Sequence, residues 1–152
     1  MSDPIVFDAT SPRLALPLLY SGQAQKEFYV NEAFAIIDAL LHGSVEGTSP
    51  APPETPIDGT GWIVGAGATG EWSGRDGTIA CQQSGQWLYV SPRDGMRLLD
   101  RSTGQQVHYL NGWQRVESPA EPSGGSNVDT EARQAIVELM AALKGAGIFA
   151  QD

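Results

Sequence analysis

Apolar residues recur along this chain at two different periods. Val30, Phe34, Ile37 and Leu41 fall at i, i+4, i+7 and i+11, with Ala33 and Leu40 widening the stripe. That spacing predicts an amphipathic helix from about Gly22 to His42, with Ser21 placed to cap it and Gly43 to end it. Ala132, Ile136, Leu139 and Leu143 repeat the pattern, flanked by Ala135 and Met140. They predict a second helix from Thr130 to about Lys144, capped by Asp129 and stopped by Gly145 and Gly147. A helix this short is marginal alone in water, so its apolar face needs a partner, either its own domain or another copy. Between the helices the period changes. Short apolar runs at Trp62 to Val64, Thr78 to Cys81, Trp87 to Val90, Met96 to Leu99, Val107 to Leu110 and Trp113 to Val116 are separated by glycine-rich turns. This punctuation predicts an antiparallel meander or small barrel, and Asn111-Gly112 suits a type I′ hairpin. The fold class is α+β: an N-terminal extended arm and helix, a small β-rich domain and a C-terminal amphipathic helix.

Residues 1–20 carry Pro4, Pro12 and Pro17, which disfavour a helix and favour an extended arm. The arm bears Ile5, Val6, Phe7, Leu14, Leu16, Leu18 and Leu19, so it wants another surface to lie against, its own domain or a neighbouring subunit. The stretch from Gly47 to Pro56 has polyproline II composition and reads as an exposed connector. Pro119 to Asn127 reads as a flexible linker. The organisation is therefore arm 1–20, helix plus β-rich domain 21–118, linker 119–128, and helix with tail 129–152.

Nine Lys and Arg against 18 acids leave a net charge of −9. A sequence-independent grip on nucleic acid needs clustered cations, so nucleic acid is not an expected partner. The same charge disfavours anionic membranes, and the densest apolar runs are too short or too polar to span a bilayer, so no membrane insertion is expected. The N-terminus, Met-Ser-Asp-Pro, lacks the basic and apolar regions of a secretory signal. Cys81 is the single cysteine, which excludes an intrachain disulfide and reads as a small buried apolar residue.

Catalytic, cofactor and metal sites are not expected. His42 and His108 stand alone, without a metal-ligand pair at helical or turn spacing. Gly65 to Gly70 imitates a phosphate loop but lacks the closing Lys-Ser/Thr and reads as a glycine-rich turn. Glycan hydrolysis needs two carboxylates about 5 to 10 Å apart. Asp58, Glu71 and Asp76 could approach one another across loops, yet nothing singles out a pair. The four Trp residues follow turns. Core packing is the ordinary role of each Trp in so small a β domain; Trp72, inside the segment Gly70 to Gly74, is the best candidate for exposure, and an exposed indole there would stack on a sugar ring.

The polar string Gly22-Gln23-Ala24-Gln25-Lys26-Glu27, followed by Asn31-Glu32-Ala33 and Asp38, is unlike a generic helix surface. Side-chain amides of Gln23, Gln25 and Asn31 can set register in an assembly, because an unpaired buried polar group costs about 1 to 3 kcal/mol. With Pro12-Arg13-Leu14-Ala15-Leu16-Pro17, Asp58 to Gly65, the segment ending at Trp72, and Gly85-Gln86-Trp87, the chain resembles a domain family of formally unknown function found in phage tail and spike proteins and in gene-transfer-agent particles. The resemblance spans roughly Ser11 to Val116. It implies a non-enzymatic virion structural protein: a spike or fibre component, acting as base, adaptor or short spike, on the particle exterior after assembly in the cytoplasm.

The expected assembly interface comprises Leu14, Leu16, Leu18, Gln23, Gln25, Phe28, Val30, Asn31, Phe34, Ile37 and Leu41, with Ile136, Leu139 and Leu143 on the second helix. The heptad-like stripes favour a parallel homo-oligomer, a trimer first. Other expected partners are capsid, tail or fibre proteins and host surface polysaccharide. Two further readings stand beside this one, a polysaccharide-binding adhesin using Trp72 and a glycan-cleaving spike. The chain ends soon after one helix, which points to an adaptor with a partner protein.

Overall fold

The computed structural model describes residues 19, 22, 24–125 and 129–151. In chain order these form α1 (Lys26–Leu40), β1 (Ser44–Val45), β2 (Thr48–Ser49), β3 (Gly61–Val64), a 3₁₀ turn (Gly70–Trp72), β4 (Ile79–Gln83), β5 (Gln86–Val90), β6 (Arg97–Asp100), β7 (Gln105–Tyr109), β8 (Trp113–Gln114) and α2 (Thr130–Gly145). The class is α+β, with a β-rich body between two helices.

The strands form two four-stranded sheets, ordered β1-β6-β7-β8 and β2-β3-β4-β5. Each is mixed: β1 pairs parallel with β6 and β2 parallel with β3, whereas the other pairings are antiparallel. The expected antiparallel meander is present as β3-β4-β5 in one sheet and β6-β7-β8 in the other, each extended by one short parallel strand. Residues 44–49 lie first beside β6 and then, past the buried Gly47, beside β3. Gly47 has φ 149°, and a Cβ there would meet the Ser102 side chain at 3.3 Å, so glycine suits the crossing. The connector expected from Gly47 to Pro56 therefore begins as sheet. Two-residue strands of Ser, Val and Thr carry no alternation long enough to read.

Side chains of the β2–β5 sheet alternate between two apolar clusters, as the pleat requires. Ile63, Ile79 and Val90 join Val45, Leu98 and Val107 of the other sheet in the main core, which Ile36 of α1 also enters. Val64 and Ala80 face the opposite way, beneath Trp72. Trp113 reaches from β8 to donate its Nε1–H to Gly77 O at 2.9 Å, tying the sheets together.

Local turn chemistry differs from expectation at two places. The type I′ turn is Ser84-Gly85, with φ 51° and 73°, closing the Gln83↔Gln86 pair. At Asn111-Gly112 the hairpin forms, but three residues separate the paired Tyr109 and Trp113. α1 ends with His42 at φ 55° ahead of Gly43, so the reversal comes one residue earlier than the glycine implied. It begins after Gln25, itself left-handed and without a side-chain cap. The expected cap, Ser21, lies outside the described residues.

Candidate assembly surface

α1 carries a wider apolar surface than its domain covers. Ile36 is buried and Ala33 and Leu40 are half-buried, so one edge of the belt faces the core. The adjacent edge does not. Phe34, Ile37 and Leu41 are 63%, 41% and 67% exposed, and Phe28 near the helix start is 65% exposed. Single exposed apolar residues are ordinary, but Phe34, Ile37 and Leu41, together on one side of α1 and its C-cap, form a patch of the kind that marks an interface.

The uncovered edge borders a groove of about 850 Å³ between α1 and the turn of the β4–β5 hairpin. Phe28, Phe34, Ile37 and Leu41 supply its apolar lining, and Gln83, Ser84 and Gln86 its far rim. Asn31 also lines it, whereas Gln25 is exposed and Val30 half-buried outside it. Leu14, Leu16, Leu18 and Gln23 lie outside the described residues. The hairpin rim was missed from sequence. Its signal was Gln-Gln-Ser-Gly-Gln, a polar tight turn with no apolar residue to draw notice.

Trp72 is 0% exposed, which corrects its assignment as an exposed sugar-stacking residue. Gly70 and Gly74, at φ 62° and 74°, let the segment fold tightly onto the sheet and carry the indole inward. Trp72 lies 5.0 Å from Trp87, nearly edge-on, and 6.1 Å from Trp62. Trp62 and Trp87, both half-buried, stand 5.9 Å apart at 77°. Glu71 joins this layer by accepting the Trp87 Nε1–H at 3.1 Å, while Tyr89 donates its hydroxyl to Glu71 O at 2.8 Å. The Arg75 guanidinium sits 4.6 Å from the Tyr89 ring centre.

A family model matches residues 30–114, more than half of the chain. Its description is a protein of unknown function, DUF2793. The chain belongs to this family. No curated protein matches it. The DUF2793 span takes in most of α1, both sheets and the hairpin rim of the groove. Phe28 precedes it and α2 follows it.

Outside the DUF2793 span, α2 is secured at both ends. Asp129 Oδ1 accepts the Ala132 N–H at 2.8 Å, the cap expected from sequence. Beyond α2 the chain returns to β7, where Gln106 donates to Gly147 O at 2.6 Å and the Gln151 N–H reaches Thr103 O at 2.8 Å. The buried Gln105 amide donates to Val116 O and Ile148 O at 2.5 and 2.7 Å. Met140 and Phe149 are buried. Of the expected interface residues here, Ile136 and Leu139 are exposed and Leu143 half-buried.

Within the span, the acidic groups considered for glycan hydrolysis are separately engaged. Asp58 accepts the Gly85 N–H at 3.1 Å, and Glu71 holds Trp87. Asp76 accepts the N–H groups of Gly67 and Ala68 at 2.8 and 3.0 Å, so the glycine-rich loop holds its own carboxylate where a phosphate loop would hold a ligand. These two donors keep the Asp76 carboxyl below its ordinary value. Asp38, His42 and Cys81 line a pocket of about 180 Å³. Burial pushes the Cys81 thiol up to about 11, so at neutral pH it is protonated and a poor nucleophile. No group of three or more His, Cys, Asp or Glu among the described residues is arranged to hold a metal ion. No described helix is long and apolar enough to cross a membrane.

Proposed function

We propose that this chain is a non-enzymatic structural subunit of a phage or gene-transfer-agent particle, a spike or fibre component that self-associates through the uncovered edge of α1. The observation that carries the reading is the run Phe34, Ile37 and Leu41, apolar at helical spacing and facing solvent in the single chain. Burying such a stripe against another copy of the chain removes apolar area from water, and a trimer is the first stoichiometry to test. The particle setting draws on the resemblance of the Gly22 to Glu27 string and the Gly-Trp segments to phage and gene-transfer-agent proteins. Net charge −9 suits the exterior of a DNA-carrying particle, where capsid, tail or fibre proteins would be the other contacts.

The test is absolute mass in solution by light scattering, for the full chain and for Phe34→Asp with Ile37→Asp. A multimer that the double substitution reduces to monomer is expected. A wild-type monomer, or a multimer indifferent to the change, removes the self-association. Mass spectrometry of purified particles from a strain encoding the chain checks the setting, and its absence from them removes that half of the reading.

Host polysaccharide binding is a second reading, now centred on Trp62 and Trp87, whose half-buried rings pack with Tyr89 on the Val64, Trp72 and Ala80 cluster. Capsule polysaccharide retained on a sensor surface by wild type and lost by folded Trp87→Ala is the expected result. Equal retention by both removes it.

A further inference from the structure

The groove beside α1 adjoins an open sheet edge. β5 is the last strand of its sheet and pairs with β4 on one side. Among the described residues no backbone hydrogen bond reaches its other side. An apolar wall beside an open edge fits an extended peptide with apolar residues at alternate positions, since every second side chain then points the same way.

The chain itself contains one such segment. Leu14, Leu16 and Leu18 alternate between Pro12 and Leu19, and Pro17 disfavours a helix there. Leu14 stands about eleven residues ahead of Gln25, and fully extended that stretch would span roughly 36 Å at about 3.3 Å per residue. The 15-residue α1 is only about 22 Å long at about 1.5 Å per residue. The described residues leading to α1, which are Leu19, Gly22, Ala24 and Gln25, are all exposed, as is the helix start through Tyr29. The chain approaches α1 from solvent, and its upstream leucines have the reach to engage a neighbour.

We propose that the groove between α1 and the β4–β5 hairpin seats the N-terminal segment of a second copy of this chain, with Leu14, Leu16 and Leu18 against Phe34, Ile37 and Leu41. The inference rests on the self-association proposed above and names its contact. It joins two sets of residues, arm and helix, into one interface repeated from copy to copy. Such a head-to-tail contact closes into a ring when the rotation permits, which a small homo-oligomer requires.

Full-length protein is prepared with Cys81→Ala, so that the only thiols are introduced ones. One preparation carries Leu16→Cys; the other, distinguished by a larger affinity tag, carries Ile37→Cys. The Ile37 position is exposed, and Leu14→Cys and Leu18→Cys are run in parallel to allow for a one-step offset of register. The preparations are mixed, given time to exchange, and oxidised with glutathione disulfide. A disulfide between a tagged and an untagged chain is expected. In chains carrying both substitutions, a link confined to one chain overturns the proposal, because the segment then fills its own groove. Light scattering on the same samples separates the failures. A persistent multimer without any link overturns the arm contact alone, and a monomer overturns self-association with it.

Discussion

Two apolar surfaces lie outside the main core, and they meet opposite fates. The outer face of the β2–β5 sheet is sealed by its own chain: the excursion after β3 folds back, and Trp72 closes over Val64 and Ala80. The outer edge of α1 has nothing of the described chain over it, although Phe34, Ile37 and Leu41 are comparably apolar. The difference is one of tethering. The sealing loop is held by Asp76 on Gly67 and Ala68 and by the Thr69 N–H on Pro50 O at 2.8 Å. Between α1 and the hairpin the polar rim holds no other described segment in place. A covered patch contributes to the stability of the domain, whereas an uncovered one is available to a partner.

Substitutions at the two surfaces should separate these roles. Trp72→Ala removes a fully buried ring and should destabilise the domain by about 3 to 5 kcal/mol, read by denaturant unfolding. If the loss is below about 1 kcal/mol, the loop is not a structural seal. Asp100 offers the next largest effect. It is buried, accepts from Ser102 Oγ and Arg115 at 2.5 Å each, and holds the turn from β6 into β7 where the C-terminal tail docks. Asp100→Ala should cost about 1 to 3 kcal/mol.

Acid should test the same residue. Burial works to raise the Asp100 carboxyl, but hydrogen bonds from Ser102 and Arg115, with the Arg115 charge, outweigh it and leave it below 3.8. Its contribution is complete above 3.8, the value in the unfolded chain, and is lost as pH falls through the lower folded value. Unfolding free energy measured against pH should therefore fall less steeply below that point in Asp100→Asn. Identical slopes would show that the carboxylate carries none of the acid sensitivity.

Asp76→Ala should have a smaller effect, a modest drop in melting temperature with a red shift in tryptophan emission as the loop loosens over Trp72. An unshifted spectrum would locate the restraint in the Thr69–Pro50 bond instead. Smallest of all for the isolated domain should be Phe34→Asp with Ile37→Asp, within about 0.5 kcal/mol when measured on dilute monomer. A large loss there would mean the edge belongs to the intramolecular core, and the contrast between the two surfaces would disappear.

Much of the body was legible from residues alone. The six runs from Trp62 to Val116 all became strands, within a few residues of their limits, because alternation and glycine turns act locally. Asp129 capped α2 for the same reason. β1 and β2 were not legible, since two residues contain no period and their partners lie far along the chain. Ser84-Gly85 was passed over in favour of Asn111-Gly112 because Asn-Gly is the stronger local signal, although strand register chose between them. The candidate surface was half legible: the stripe of α1 was visible, but not that Ile36 rather than Phe34 would turn to the core. The sequence reading of Trp72 took glycine neighbours as a sign of exposure, when their positive φ brings the ring inward.

Local patterning by itself determined which segments are helical or extended, where α2 is capped, and that each helix bears an apolar face. Those properties depend on side-chain period and backbone preference within a few residues. Only the tertiary structure decided that the strands divide into two mixed sheets, that Trp72 is interior, and that α1 leaves its Phe34, Ile37 and Leu41 edge open. Burial is a competition among distant segments for a limited area of sheet. Its outcome follows from how loops such as Gly65 to Thr78 return to the sheet, which no single stretch of sequence specifies.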